Sequence, residues 1–116
     1  MNGKIYLDDL TILQADLCKS FTNPVRITII RILAEREQCI TQIAKILDLP
    51  VQNISQHMKV LKETGIVNSA RIGHKVNYYI GNKKLLRVCE LMREALIEIL
   101  KEKACSYQKN LPTEWE

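Results

Sequence analysis

Leu49-Pro50-Val51-Gln52-Asn53-Ile54-Ser55-Gln56-His57-Met58-Lys59-Val60-Leu61-Lys62-Glu63-Thr64-Gly65-Ile66-Val67 is the stretch on which the fold turns. Pro50 breaks what precedes it and suits the opening of a helix, where its missing N–H is not needed. Val51, Ile54, Met58 and Leu61 then fall at helical spacing in one narrow apolar stripe. The opposite side carries Gln52, Asn53, Ser55, Gln56, Lys59 and Lys62. Gly65 stops the helix, because glycine enters the left-handed conformation of a helix end at no steric cost.

Toward the N-terminus, Leu10, Leu13 and Leu17 recur at helical spacing and predict a first amphipathic helix over about residues 7–20. Asn23-Pro24 reads as a cap followed by proline at the first helical position. The helix they open runs to about residue 36, and the breadth of its face (Ile27, Ile29, Ile30, Leu33) marks it as central. A short third helix, with Thr41 as its expected cap, carries Ile43, Ala44, Ile46 and Leu47. Toward the C-terminus, residues 66–71 and 75–80 read as two strands joined through Ile72-Gly73-His74. A long last helix over about 82–103 has the stripe Leu85, Val88, Cys89, Met92, Leu96 and Ile99, widened by Leu91 and Ala95. Residues 106–116 have no period and are expected to form a flexible tail, with Trp115 able to tuck onto a neighbour.

The chain is thus mainly α with one small β-hairpin: five helices plus two strands. At 116 residues it is expected to be one domain over 1–105 followed by that tail. Its 47% apolar and 26% charged residues are those of an ordinary globule. The N-terminus carries charges where a signal peptide needs an apolar core, and no apolar run has the length of a membrane span. A cytoplasmic protein with no membrane partner is the expectation.

The chemistry of the polar helix face points to duplex DNA. A helix fits the major groove, where Gln and Asn bond adenine through two hydrogen bonds and Ser and Lys reach bases or phosphates. A neighbouring hairpin can lay Arg71, His74 and Lys75 along the backbone or into the minor groove. Residues 50–80 hold Lys59, Lys62, Arg71 and Lys75 against Glu63 alone, so this segment supplies net +3 of the chain's +4. The alternative reading of such a face is a solvated surface, or a contact for another protein. A protein contact would usually carry aromatic anchors, and this face has none. An enzyme is excluded by the lack of a phosphate loop, nucleophile motif or paired carboxylates.

The same stretch resembles the recognition helix of the ArsR family, whose pattern is roughly L-S-x-S-x-V-S-x-H-L-x-x-L-x-x-x-G-L-V. Ser55, His57, Leu61, Gly65 and Val67 match it directly, and Ile54, Met58 and Ile66 match conservatively. Pro50 stands where the family often has a serine cap. Phe21-Thr22-Asn23-Pro24-Val25-Arg26-Ile27 is similar to the family's L-S-D-P-T-R-L, and Arg71-Ile72-Gly73-His74-Lys75-Val76-Asn77-Tyr78-Tyr79 to its R-x-G-x-x-x-x-Y-Y wing. The likeness runs in order over residues 10–100. It implies a winged helix-turn-helix fold and a homodimer joined through the first and last helices. It also implies a repressor that reads a palindromic operator, with DNA contacts expected at Gln52, Asn53, Ser55, Gln56, His57, Lys59, Lys62, Arg71, His74 and Lys75. His57, beside the Met58 stripe, is expected to pack or to touch phosphate, not to bind metal.

Members of the family release DNA when a metal, metalloid or oxidant reaches cysteine or histidine ligands. One family site has C-x-C-D-L at the third helix. Here the matching residues are Cys39-Ile40-Thr41-Gln42-Ile43, with one cysteine of the two. Another uses Asp and His on the last helix, which here holds no His and has Glu90 and Glu94 out of pattern. No cofactor and no resident metal are expected, and a metal or metalloid inducer lacks a complete ligand motif. The four cysteines (Cys18, Cys39, Cys89, Cys105) contain no C-x-x-C pair, so a zinc ribbon is not expected. Cys39, at a helix N-terminus where a thiol pKa falls, is the first candidate for a thiol sensor. Cys18 and Cys105 come next, whereas Cys89 in the apolar stripe is explained by burial. A regulator without effector, or a winged helix used for protein contact, stays open.

Overall fold

Side-chain caps open the first two helices, and left-handed residues close the third and fourth. The computed structural model describes residues 7–107. Helix α1 (Asp9–Leu17) starts where Asp8 Oδ1 accepts the Thr11 N–H at 2.8 Å, and it passes into a 3-10 turn over Cys18–Phe21. The long first helix expected over 7–20 is therefore shorter and tightened at its end. Helix α2 (Pro24–Glu35) is capped as expected, with Asn23 Oδ1 accepting from the N–H groups of Val25 and Arg26.

Helix α3 (Ile40–Leu47) corrects the sequence reading. Thr41 lies inside it, and Cys39 occupies the cap position without capping the backbone. The Thr41 hydroxyl meets the Cys39 sulfur inside the first turn. Asp48, at φ +53°, ends α3 in the left-handed region that Asp tolerates better than most residues. Helix α4 (Val51–Thr64) follows Pro50 directly and stops at Gly65, φ +89°.

Strands β1 (Val67–Ile72) and β2 (Lys75–Ile80) pair antiparallel from Val67 opposite Ile80 to Ile72 opposite Lys75. Only Gly73-His74 is left for the turn, and Gly73 takes φ +63°. The first strand begins one residue later than expected; Ile66, fully buried, precedes the ladder and accepts the Gly81 N–H at its carbonyl. One pairing has no local signature. Gln38, just before α3, exchanges backbone hydrogen bonds with Tyr78 of β2, at 3.1 and 2.8 Å, and so ties the base of the hairpin to the start of α3.

Helix α5 (Lys83–Tyr107) runs past the expected end, so Ser106 and Tyr107 are helical and not tail. The remainder of the expected tail, with Trp115, lies outside the described residues. The chain divides into two compact units, one ending at Lys83 and the other starting at Lys84. In the first unit the core is Ile29, Ile30 and Leu33 from α2, Ile43 and Ala44 from α3, and Ile54, Met58 and Leu61 from α4, closed by Ile66 and Val67. Val51, expected in the buried stripe, is 46% exposed because it sits at the outer end of α4. Helix α1 buries none of its residues; Leu10 and Leu13 face solvent. On α5 only Cys89 of the expected stripe is buried, while Val88, Leu91, Met92, Leu96 and Ile99 are exposed. Among the described residues, no helix is long and apolar enough to cross a membrane.

Candidate nucleic-acid interface

With Ile54, Met58 and Leu61 turned into the core, α4 has to point its polar side outward. Gln52, Gln56 and Lys59 are exposed and Ser55 is half-buried, so these groups line one outward face. Asn53 is drawn in. It is half-buried, and its Oδ1 is sealed from solvent with no hydrogen-bond partner. Lys62 is bent back along the fold, where its Nζ donates to Ser69 Oγ of β1 at 2.7 Å. That bond places its charge at the junction of helix and hairpin.

The C-terminal end of α4 is locked in place by a small polar relay. Thr64 Oγ1 donates to the Leu61 carbonyl at 3.1 Å, so it can only accept from Ser20. Ser20 is fully buried in the 3-10 turn and makes that bond. A buried hydroxyl with its partner in place is stabilising, and without the partner it would cost about 1–3 kcal/mol. His57 is half-buried, and its Nδ1 lies 3.3 Å from Arg26 Nη1 of α2. Burial first, and the Arg26 charge second, hold its pKa below the ordinary 6.5.

At the hairpin, Arg71, His74 and Lys75 are all exposed and cluster around the tip. Arg71 Nε leans toward the Gly73 carbonyl at 3.4 Å. Ile72, 61% exposed at the same tip, was not foreseen as a surface group. The arrangement is a helix with amide and hydroxyl groups outward beside a basic, projecting hairpin. It can place hydrogen-bonding groups in a major groove and cations along the flanking backbone.

The cysteines divide by environment. Cys18 in the 3-10 turn and Cys105 near the end of α5 are exposed, whereas Cys39 and Cys89 are buried. Cys39 Sγ lies 3.1 Å from Thr41 Oγ1. That hydroxyl pulls the thiol pKa below its ordinary 9.0, burial opposes it, and the Gln42 N–H and the charge of Lys75 add to the lowering. Among the described residues, no three His, Cys, Asp or Glu side chains stand together as a metal site. Five contributors escaped the sequence reading: Ser20, Arg26, Gln38, Thr64 and Ser69. Arg26 and Thr64 lie in the stretches that carry the family likeness, which say nothing of partners 31 and 44 positions away.

Residues 23–69 match the family model described as bacterial regulatory protein, arsR family. The chain is 33% identical over 73 residues to the HTH-type transcriptional repressor SmtB of Mycobacterium tuberculosis, covering 63% of this chain. The match spans about half (54%) of that relative's length. It is 33% identical over 81 residues to an uncharacterised HTH-type transcriptional regulator of Methanocaldococcus jannaschii, covering 69% of this chain and 91% of that one. Among solved structures it superimposes on the homodimeric winged helix-turn-helix DNA-binding domain of a Mycobacterium bovis protein, described as a possible ArsR-family regulator. The TM-score is 0.75 at 25% identity, covering 88% of this chain and 95% of that one. These are transcription regulators, not enzymes. Identity of 33% across 91% of one regulator's length goes beyond a shared fold, and the chain belongs to the ArsR family of winged helix-turn-helix regulators.

Proposed function

We propose that the protein is a sequence-specific repressor that binds duplex DNA as a homodimer. The observation that carries this reading is the outward polar face of α4 beside the basic hairpin tip. Gln52, Gln56, Lys59, Arg71, His74 and Lys75 are exposed around a buried stripe that fixes their direction. Gln52 and Gln56 read bases, Ser55 and Lys59 reach bases or phosphates, and Arg71, His74 and Lys75 hold the backbone. Asn53 and Lys62 support this face from its edges. The exposed stripes of α1 and α5 supply the pairing surface, and the M. bovis neighbour is homodimeric. A palindromic operator follows from two-fold symmetry of such a pair.

Release by a thiol-reactive signal is part of the proposal, with Cys39 as its site. Its lowered pKa favours thiolate, and the adjacent Gln38 is bonded to the hairpin. Attack there would disturb the start of α3 and the base of the hairpin together. The test is binding to the duplex upstream of the protein's own gene, with and without arsenite, cadmium, peroxide or persulfide. Specific binding, released in the native protein and retained in Cys39→Ser, supports both parts. No specific duplex binding would overturn the reading, and unchanged release in Cys39→Ser would remove Cys39 from it.

A further inference from the structure

A single guanidinium joins the 3-10 turn, the first turn of α2 and the middle of α4. Arg26 Nε donates to the Lys19 carbonyl at 3.0 Å and Nη2 to the Thr22 hydroxyl at 3.1 Å, while Nη1 meets His57 Nδ1 at 3.3 Å. Arginine has donors and no acceptor, so the histidine nitrogen it meets must be a bare lone pair. The proton of the neutral ring is then on Nε2. Burial and the Arg26 charge both disfavour a second proton, which keeps the ring neutral near pH 7. Among the described residues, Arg26 is the charged group whose field bears on the ring. Among the described residues Nε2 has no hydrogen-bond partner, and it is not sealed from solvent. His57 follows Gln56 in α4, the helix whose outward face carries the proposed base-reading groups.

We propose that Arg26 is a positioning residue for DNA binding, which fixes the His57 Nε2–H as a donor to a backbone phosphate beside the bases read by α4. The proposal rests on the duplex-binding reading above and adds the group that sets the tautomer. A free imidazole divides its proton between two nitrogens. A ring locked from behind presents its N–H at every encounter, and a phosphate oxygen accepts it in a charge-assisted bond. Such a contact carries no sequence information, so it should strengthen every duplex alike.

The experiment is a double-mutant cycle in DNA affinity, on an operator duplex and a scrambled one at fixed salt, using His57→Ala, Arg26→Ala and the pair. His57→Ala should weaken both duplexes about tenfold, the effect of one charge-assisted hydrogen bond, and Arg26→Ala about twofold, the factor by which a divided proton lowers the competent population. The pair should lose no more than the weaker-binding single variant. Thr22→Val, which removes a turn contact of Arg26 and leaves the ring contact, should bind as the native protein does. Long-range proton–nitrogen correlation of the free protein should show His57 Nδ1 bare and Nε2 protonated, with mixed tautomers in Arg26→Gln. A native protein that binds no duplex would sink the DNA reading and this proposal with it. Native binding with His57→Ala at full affinity, additive losses in the pair, or a proton on Nδ1 would overturn the proposal alone.

Discussion

Helices α4 and α5 carry apolar stripes of the same kind in sequence and use them differently. On α4, Ile54, Met58 and Leu61 are all but fully buried, and the helix stops at a glycine against the hairpin. On α5, Val88, Met92, Leu96 and Ile99 recur just as regularly and remain open to solvent. Periodicity reports that a helix has an apolar face. It does not report whose surface covers it. An internal cover gives a helix fixed in one direction, with its polar side free for a ligand. A face left open over several turns asks for another molecule, since contiguous exposed apolar area of this kind marks association surfaces.

The largest effect should come from the internal stripe. Leu61→Ala removes a fully buried side chain and should cost about 2–5 kcal/mol in denaturant unfolding, whatever the protein concentration. Leu96→Ala, 53% exposed, should be nearly neutral in dilute solution and cost more as concentration rises. Equal, concentration-independent losses at both positions would erase the distinction between the helices. Next comes Leu96→Glu, which places an unpaired charge in the proposed seam. It should weaken self-association at least about a hundredfold in sedimentation while helical circular dichroism is kept. A variant that still sediments as the native dimer would mean that α5 is not the seam.

Smaller effects should separate the outer face of α4 from its inner one. Gln52→Ala or Gln56→Ala should leave folding unchanged and relax base preference, at about 1–3 kcal/mol per lost two-bond contact. Untouched specificity would place the reading face elsewhere. The smallest effect is the pH dependence that His57 gives α4; α5 has no histidine. The folded chain holds His57 below its ordinary 6.5, so the unfolded chain takes up the proton more readily. The stability this contributes is complete above 6.5 and is lost as pH falls below it toward the folded value. His57→Asn should flatten that part of the acid limb in denaturant melts, and an identical acid limb would contradict the assignment.

What could be read beforehand was local chemistry. Asn23-Pro24 opens α2, Gly65 closes α4 and Gly73 turns the hairpin, because each position demands a cap, a left-handed backbone or both. The polar face of α4 followed from its stripe by helical geometry alone. What could not be read depends on partners distant in sequence. The Gln38–Tyr78 bridge and the Arg26–His57 contact have no periodic signature, and they hold the hairpin and α4 where they are needed. Cys39, not Thr41, holds the cap position, and the Thr41 hydroxyl meets its sulfur from inside the helix. Val51 matched the stripe by spacing and still faces solvent, since spacing does not say where the core ends along a helix.

The central claim is that a pair of chains, joined away from α4, sets two α4 helices on one duplex. Hydroxyl-radical footprinting of the protein on its operator tests this most directly. Two protected stretches related by a two-fold axis, centred about one helical turn (10–10.5 base pairs) or a multiple of it apart, are predicted. Gln56→Ala should weaken both stretches together, and Leu96→Glu should leave neither at concentrations that saturate the native protein. A single protected stretch at saturation, or two that survive Leu96→Glu unchanged, would contradict the account.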